Sequence, residues 1–253
     1  MNTRIHIFYR ISDKGYAKEK PDYINNENCL KNALSAFPCK FVSWKIIADD
    51  ISCATNSLIN DLGLSGSCVP VKIGNGAGTF RIALQHACDL PAEDIVYMLE
   101  NDYIHQPESL AALREAFTLP VDYVTLYDHP DKYMLPDQEG NLLCLNGGEE
   151  TTVFKRSRCW WRLTNSTTMT FAARAQTFRQ DAELMRDFIS EAHPNDFQMF
   201  LALRKVGRKL ASPIPSMSTH GETKWLADEQ RTRHTWSELA NMYAGQGGPD
   251  HSI

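Results

Sequence analysis

Glu100 and Asp102 stand one residue apart, directly after the apolar run DIVYML that spans 94–99. Two acids at this spacing, at the end of a strand, suit a hard divalent cation. Mg2+ or Mn2+ takes one or two carboxylates and fills its other positions with phosphate oxygens and water. A polar strand end is the plainer role for the same residues, and the pattern alone leaves both open. Residues 74–78 (GNGAG) form a glycine-rich turn ahead of a helical stretch. They lack the Gly-Lys-Ser/Thr ending of a P-loop, and no G-x-G-x-x-G follows the first apolar run, which argues against a P-loop nucleotidase and a dinucleotide enzyme. Residues 151–180 hold Lys155, Arg156, Arg158, Arg162, Arg174 and Arg179 and no acid, in a chain whose net charge is −5. Trp160 and Trp161 lie among these arginines. Flat rings interleaved with cations suit stacked sugars or nucleobases, or a phosphate-bearing partner. The alternative is an amphipathic hairpin with buried tryptophans and solvated arginines.

These residues need a scaffold that presents strand ends. Residues 5–11 (IHIFYRI) read as a first strand, 22–36 as a helix stopped by Pro38, and 41–48 as a second strand ending in Asp49-Asp50. A short helix over 52–62 follows, with Ser52 as N-cap. Residues 69–73 form a third strand, the glycine-rich turn opens a further helix, and 94–99 reads as a strand buried on both faces. Pro107 opens the next helix, and 122–127 is a strand. Strand and helix alternate, which predicts an α/β fold: a mostly parallel, Rossmann-like sheet with helices on both faces. In such sheets ligands bind at the carboxyl ends of the strands. Beyond 130 the pattern loosens into a smaller mixed region. Turns at 139–141 and 146–148 predict a hairpin, 167–172 a strand, 175–190 and 195–206 helices, and 209–214 a last strand.

The chain has 253 residues, 43% hydrophobic and 23% charged, which excludes collagen, coiled-coil and disordered classes. No apolar run reaches the roughly 18–20 residues that span a bilayer. The polar start MNTRIHIFYRIS is not a secretory signal, so a cytoplasmic protein is expected. Seven scattered cysteines without CxxC spacing point to reduced thiols rather than a zinc cage or disulfide framework. A single domain over 1–244 is expected, with 245–253 as a flexible tail.

Over residues 4–225 a set of short motifs, in order, resembles the nucleotide-sugar-dependent glycosyltransferases of the GT-A fold, family 2-like. They are IFYRIS, IIADD, NGAGTFRIALQHA, DIVYMLENDY, PNDFQMFLAL and SMSTHGE. The resemblance implies a nucleotide-sugar half over about 1–130 and an acceptor half over 131–244. It makes Asp102 the direct metal ligand, with Glu100 on the ribose or reaching the metal through water; Glu100 replaces the aspartate many members have. Asp49 or Asp50 meets the base of the donor. His220 completes the metal site for Mn2+ or Mg2+. Asp196 becomes the general base of an inverting transfer, which needs one carboxylate beside the acceptor hydroxyl; helix capping is its plainer role. Many members have Glu before this acid, where here Asn195 stands.

Arg10 and Arg81 are candidates for the nucleotide's phosphates or base, and Asn75, Asn101 and Lys224 for other donor contacts. Arg156, Arg158, Trp160 and Trp161 are the acceptor candidates. The acceptor is then anionic, for example hydroxymethylated DNA, another nucleic acid or a phosphorylated glycan. The expected donor is a nucleoside-diphosphate sugar, UDP-linked first of all. A sugar nucleotidyltransferase is the competing enzyme, although FYRISDKGYAKEK is a poor match to its phosphate loop. A non-catalytic glycan- or nucleic-acid-binding module is the competitor from another class.

Overall fold

In the computed structural model, which describes residues 3–15, 18–135, 139–141, 143–144 and 151–243, β1 (Ile5–Ser12) is the central strand. Its residues alternate between two cores. Ile5, Ile7, Tyr9 and Ile11 join one apolar cluster and Phe8 joins the other, as the two-residue period of a strand requires. β1 is followed by α1 (Asn26–Ala36), β2 (Ser43–Asp49), α2 (Cys53–Asp61), β3 (Cys68–Val71), α3 (Gly76–Cys88) and β4 (Ile95–Glu100). Three of these helices start on side-chain caps: Asn25, Ser52 and Asn75 each accept from the backbone N–H three residues on.

The chain continues through β5 (Tyr103–His105), α4 (Ser109–Ala116), β6 (Tyr123–Val124), β7 (Val153–Lys155), β8 (Trp160–Thr164) and β9 (Phe171–Arg174). It ends its regular structure with α5 (Ala175–Asp187), α6 (Asp196–Lys205), β10 (Leu210–Ile214), β11 (Ser218–His220) and α7 (Trp236–Asn241). Nine strands form one sheet in the order β3-β2-β1-β4-β9-β6-β10-β8-β7. β3, β2, β1 and β4 are parallel neighbours, as are β6 and β10, whereas β9 and β8 run against the strands beside them. The mostly parallel α/β sheet is therefore present. The chain order reverses between β1 and β4, and such a switch point opens a crevice at the strands' carboxyl ends.

The second half departs from expectation in three places. The hairpin expected from the turns at 139–141 and 146–148 falls partly on residues 142 and 145–150, outside the described residues, as does the tail 245–253. The hairpin present is β7–β8, whose turn is closed without glycine by Arg156 N–H donating to the Cys159 carbonyl at 3.1 Å. The strand expected over 167–172 begins only at Phe171. Before it, Thr167, Thr168 and Thr170 bond to Thr125, Tyr103 and Glu100 through their hydroxyls. The sequence also concealed a two-stranded ribbon, β11 against β5, because three-residue strands leave no readable period. No helix among the described residues is long and apolar enough to cross a membrane, and Cys29, Cys39, Cys53, Cys68, Cys88 and Cys159 are free thiols.

Candidate functional site

A cleft of about 920 Å³ opens at the carboxyl ends of β1, β2 and β4. It is lined by Arg10 and Ser12 from β1, Asp49 from β2, Glu100, Asn101 and Asp102 after β4, and Asn75 and Gly76 at the start of α3. Asp196 from α6 and His220 and Glu222 from the end of β11 close its other side. The volume lies in the range of small-molecule sites.

The β5–β11 ribbon explains how His220 reaches Asp102 across more than a hundred residues. His220 pairs with Tyr103 in antiparallel register, which sets it beside the preceding residue's carboxylate. His220 Nε2 lies 3.4 Å from Asp102 Oδ2. Gly221 makes this approach possible, since a Cβ there would sit 2.8 Å from the Asp102 carbonyl oxygen and 2.4 Å from Ile24 Cγ2. Asp102 and His220 are both buried. Burial alone would raise the Asp102 carboxyl, but His220, Lys20 and Lys18 outweigh it and hold the group well below the usual carboxylate range.

Asp102 Oδ1 and His220 Nδ1 are buried without a hydrogen-bond partner. Two ligands of a Mg2+-type ion at 2.0–2.1 Å sit about 3 Å apart in an octahedron, close to the Oδ2–Nε2 spacing. Among the described residues no group of three or more His, Cys, Asp or Glu could hold a metal. An ion held by this pair would have to take its remaining positions from outside oxygens, and Lys20 and Lys18 already face Asp102 Oδ2 and His220 Nε2.

Glu100 and Arg10 are partners in the β1–β4 register, so their side chains emerge on the same face. Arg10 Nη2 lies 3.4 Å from Glu100 Oε1, while Arg10 also donates to the carbonyls of Gly76 at 3.1 Å and Met169 at 2.9 Å. This buried guanidinium ties β1, α3 and the loop before β9 together on the cleft floor, and burial lowers its pKa. Asp49, rather than Asp50, faces the cleft. Its carboxylate accepts from the N–H groups of Ile73 at 2.6 Å and Gly74 at 2.8 Å, which shapes the glycine-rich turn. Asn101 donates to the Ser12 carbonyl at 3.1 Å and to Asn26 Oδ1 at 2.6 Å.

Asp196 occupies the first turn of α6, but the cap is Asn195, whose side chain accepts from Gln198 N–H at 3.2 Å. Asp196 is thus spared the capping role; its Oδ1 accepts from the adjacent Phe197 N–H at 2.7 Å. Burial pushes its carboxyl up to about 6, opposed by that N–H and reinforced by the Glu100 charge. A carboxyl tuned to this range can exchange a proton near neutral pH.

Several expected site residues lie elsewhere. Arg81 donates to the Ile189 carbonyl at 2.6 Å and lines a separate groove with Arg186 and Cys88, because its position on α3 faces α5. Asp50 turns outward to Lys14 at 2.5 Å. Lys224 pairs with Glu139 at 2.7 Å and covers the Trp225 ring, outside the cleft lining. Trp161 is fully buried, with its Nε1–H on Glu115 at 3.4 Å; it is core and cannot stack on an acceptor. Alternation along β8 leaves Trp160 53% exposed, beside Lys155. Trp160, Arg156 and Arg158 belong to the hairpin at the sheet edge and do not line the cleft. Arg162 is committed to Asp128 at 2.7 Å.

The cleft also holds residues that the motifs did not single out. Lys20 Nζ lies 2.8 Å from Asp102 Oδ2, and Lys18 Nζ lies 3.2 Å from His220 Nε2 and 3.7 Å from Glu222. Both come from the stretch FYRISDKGYAKEK, a loop whose lysines show no telling spacing. His129 and Trp225 form a ring pair on the cleft wall, with centroids 5.1 Å apart.

No protein-family model matches the sequence, and no curated protein matches it. Solved structures do share the fold. GalNAc-T7, crystallised with UDP, GalNAc and Mn2+, superposes with a TM-score of 0.56 at 11% identity, over 95% of this chain and 47% of that one. The chain thus spans about half the length of GalNAc-T7. A glucose-1-phosphate thymidylyltransferase of Bacillus anthracis, in complex with sucrose and assigned on a provisional basis, superposes with a TM-score of 0.52 at 12% identity, over 95% of both chains. At these identities the likeness establishes the fold: it is of the GT-A type.

Proposed function

We propose that the chain is a nucleotide-sugar-dependent glycosyltransferase that transfers with inversion, with Asp196 as general base. The observation that carries this reading is the meeting in one cleft of an Asp–His pair suited to a divalent ion with a second carboxyl tuned to about 6. The donor is a nucleoside-diphosphate sugar, UDP-linked first of all. Its diphosphate lies toward Asp102 and His220, and its nucleoside toward Ser12, Asp49, Asn75 and Asn101. Asp102 and His220 would hold Mn2+ or Mg2+, with Glu100 and Arg10 on the floor behind them. That ion supplies charge neutralisation to the departing diphosphate.

The chain's own residues do the rest. Asp196, ionised, accepts the proton of the acceptor hydroxyl as its oxygen forms a bond to the anomeric carbon. The bond from that carbon to the diphosphate oxygen breaks on the opposite face, so no covalent enzyme intermediate is needed. Arg10, tied to two carbonyls, keeps Glu100 in place and so keeps a fixed charge near Asp196. The exposed Trp160 and Arg158, with the half-buried Arg156, offer a separate basic face for an anionic acceptor, whether hydroxymethylated DNA or a phosphorylated glycan. If charge-neutral variants at Arg156 and Arg158 transfer to such an acceptor as well as the parent does, that assignment fails.

A panel of UDP-, GDP-, dTDP- and CDP-sugars with Mn2+, scored by thermal shift, tests the donor assignment. A ligand at 100 times its Kd adds about 2.7 kcal/mol of stability, and stabilisation by none of the four would count against it. The thymidylyltransferase fold match over nearly the whole of both chains favours a second reading, sugar nucleotidyl transfer. Release of pyrophosphate from a nucleoside triphosphate and a sugar 1-phosphate would support it; the transferase reading expects none.

A further inference from the structure

Trp225 and His129 line the cleft but take no part in the donor or proton chemistry described above. Both rings are half-buried. Their centroids are 5.1 Å apart and their planes meet at 51°. Neighbours hold both rings in place. The Asp131 N–H donates to His129 Nδ1 at 3.2 Å, and Asp131 Oδ1 lies 3.1 Å from the same nitrogen. Asp131 Oδ2 is fixed in turn by the Ser166 hydroxyl at 2.5 Å and the Asn141 side-chain amide at 2.8 Å. Tyr127 packs its ring 5.1 Å from that of His129 and donates its hydroxyl to the Trp225 carbonyl at 2.5 Å. Trp225 closes one turn onto Glu222, its N–H on that residue's carbonyl at 2.8 Å. Rings held in this way can bind without first being ordered.

This wall suits a sugar ring better than a flat base. Sandwiching a base between two rings takes two centroid spacings of at least ~4.5 Å each, and the 5.1 Å between Trp225 and His129 leaves no such slot. A pyranose asks for one apolar contact on its C–H face and polar atoms around its rim. The indole offers the first. Lys224 lies 4.9 Å over the Trp225 ring but outside the cleft lining, so it does not take the cleft side. Glu222 and Asp196 line the same cleft, and ionised carboxylates accept from hydroxyls. Asp196 is near enough to His129 for the imidazole's charge to act on its carboxyl, which sets the wall beside the proposed base.

We infer that the Trp225–His129 wall is the acceptor subsite and takes a pyranose ring, with its C–H face on the indole and a hydroxyl directed to Asp196. This rests on the glycosyltransferase reading above and deepens it: of the acceptor classes named there, a glycan is the one this wall fits. Trp225 and His129 bind and orient the acceptor, and the proton transfer stays with Asp196.

Fluorine NMR of the full chain labelled with 5-fluorotryptophan tests the subsite. The chain has five tryptophans; the Trp225 resonance is the one lost in Trp225→Phe, and that of Trp160 is assigned likewise through Trp160→Phe. Methyl glycosides of glucose, galactose, mannose and N-acetylglucosamine are added with Mn2+ and whichever of UDP, GDP, dTDP and CDP binds. At least one should move the Trp225 resonance and leave that of Trp160 in place. Its affinity should fall about fivefold in His129→Ala, the scale of a lost ring contact, while nucleotide affinity by calorimetry stays at the parent's value; a loss of folding would remove both. Glycosides that move only the Trp160 resonance, or neither resonance while a nucleotide binds, overturn the subsite and leave the donor reading standing. Unchanged glycoside affinity in His129→Ala overturns the shared wall in the same way. Movement of the Trp225 resonance by thymidine or 5-hydroxymethyl-2′-deoxyuridine, and by no glycoside, gives the site to a base and overturns the inference. Failure of all four nucleotides to bind overturns the glycosyltransferase reading itself, and the acceptor subsite with it.

Discussion

Asp196→Asn separates the cost of the proposed base from its use. The carboxyl is raised from 3.8 to about 6 by burial, with the Glu100 charge adding to it. Holding the carboxyl at about 6 instead of 3.8 corresponds to roughly 3 kcal/mol between the protonation states. An acid whose pKa is raised on folding loses its proton first in the unfolded chain. Stability is therefore unaffected by this group below about pH 4, falls as pH rises through the interval between 3.8 and 6, and carries the full penalty above it. Asparagine has no charge to bury. With relaxation of the neighbours, Asp196→Asn should be about 1–3 kcal/mol more stable than the parent at pH 8, or about 4–8 °C in Tm for a gain of 2 kcal/mol. The gain should shrink toward zero at pH 4.5. Scanning calorimetry across pH 4.5–8 reads the difference directly. Sugar transfer by the parent should rise with pH through about 6 and be lost in the variant, because only the ionised carboxyl accepts a proton. A variant that is less stable than the parent at every pH, or a difference that ignores pH, would refute the reasoning.

Three further substitutions probe the site's geometry. Gly221→Ala places a methyl group against Ile24 and the Asp102 carbonyl; it should cost about 1–3 kcal/mol in denaturant unfolding and weaken Mn2+ binding. Trp161→Ala empties a fully buried site and should cost about 3–5 kcal/mol, whereas Trp160→Ala, on the exposed face of the same strand, should change stability by less than about 0.5 kcal/mol. Arg81→Gln should leave donor affinity unchanged in calorimetry, since its guanidinium bonds the Ile189 carbonyl outside the cleft; a tenfold loss would put Arg81 back at the donor.

The first half of the fold was legible because its strands are long enough to show their pattern. The run 94–99 is apolar throughout and β4 is buried on both faces; Ser52 caps α2 as its position suggested. The strand ends then carried Glu100, Asp102 and Asp49 to the cleft. Legibility failed where side-chain direction decides placement. Arg81 sits on the helix that begins beside the cleft, but its position turns it toward α5. Trp160 and Trp161 are neighbours in sequence and opposites in environment, because successive residues of a strand face opposite ways. The contact of His220 with Asp102 depends on a ribbon of three-residue strands, and motif order anticipated the pairing without supplying the geometry. Lys18 and Lys20 went unremarked because loop lysines carry no pattern.

Release of nucleoside diphosphate from the sugar-nucleotide panel, followed by chromatography with Mn2+ present, tests the central assignment most directly. The parent should release the diphosphate from one donor, faster when acceptor is added, and Asp102→Ala should lose about 10²–10³ in rate, the scale of removing an electrostatic stabiliser of a leaving group. Equal release by Asp102→Ala, or no release from any of the four donors alongside pyrophosphate formation from a nucleoside triphosphate, would contradict it.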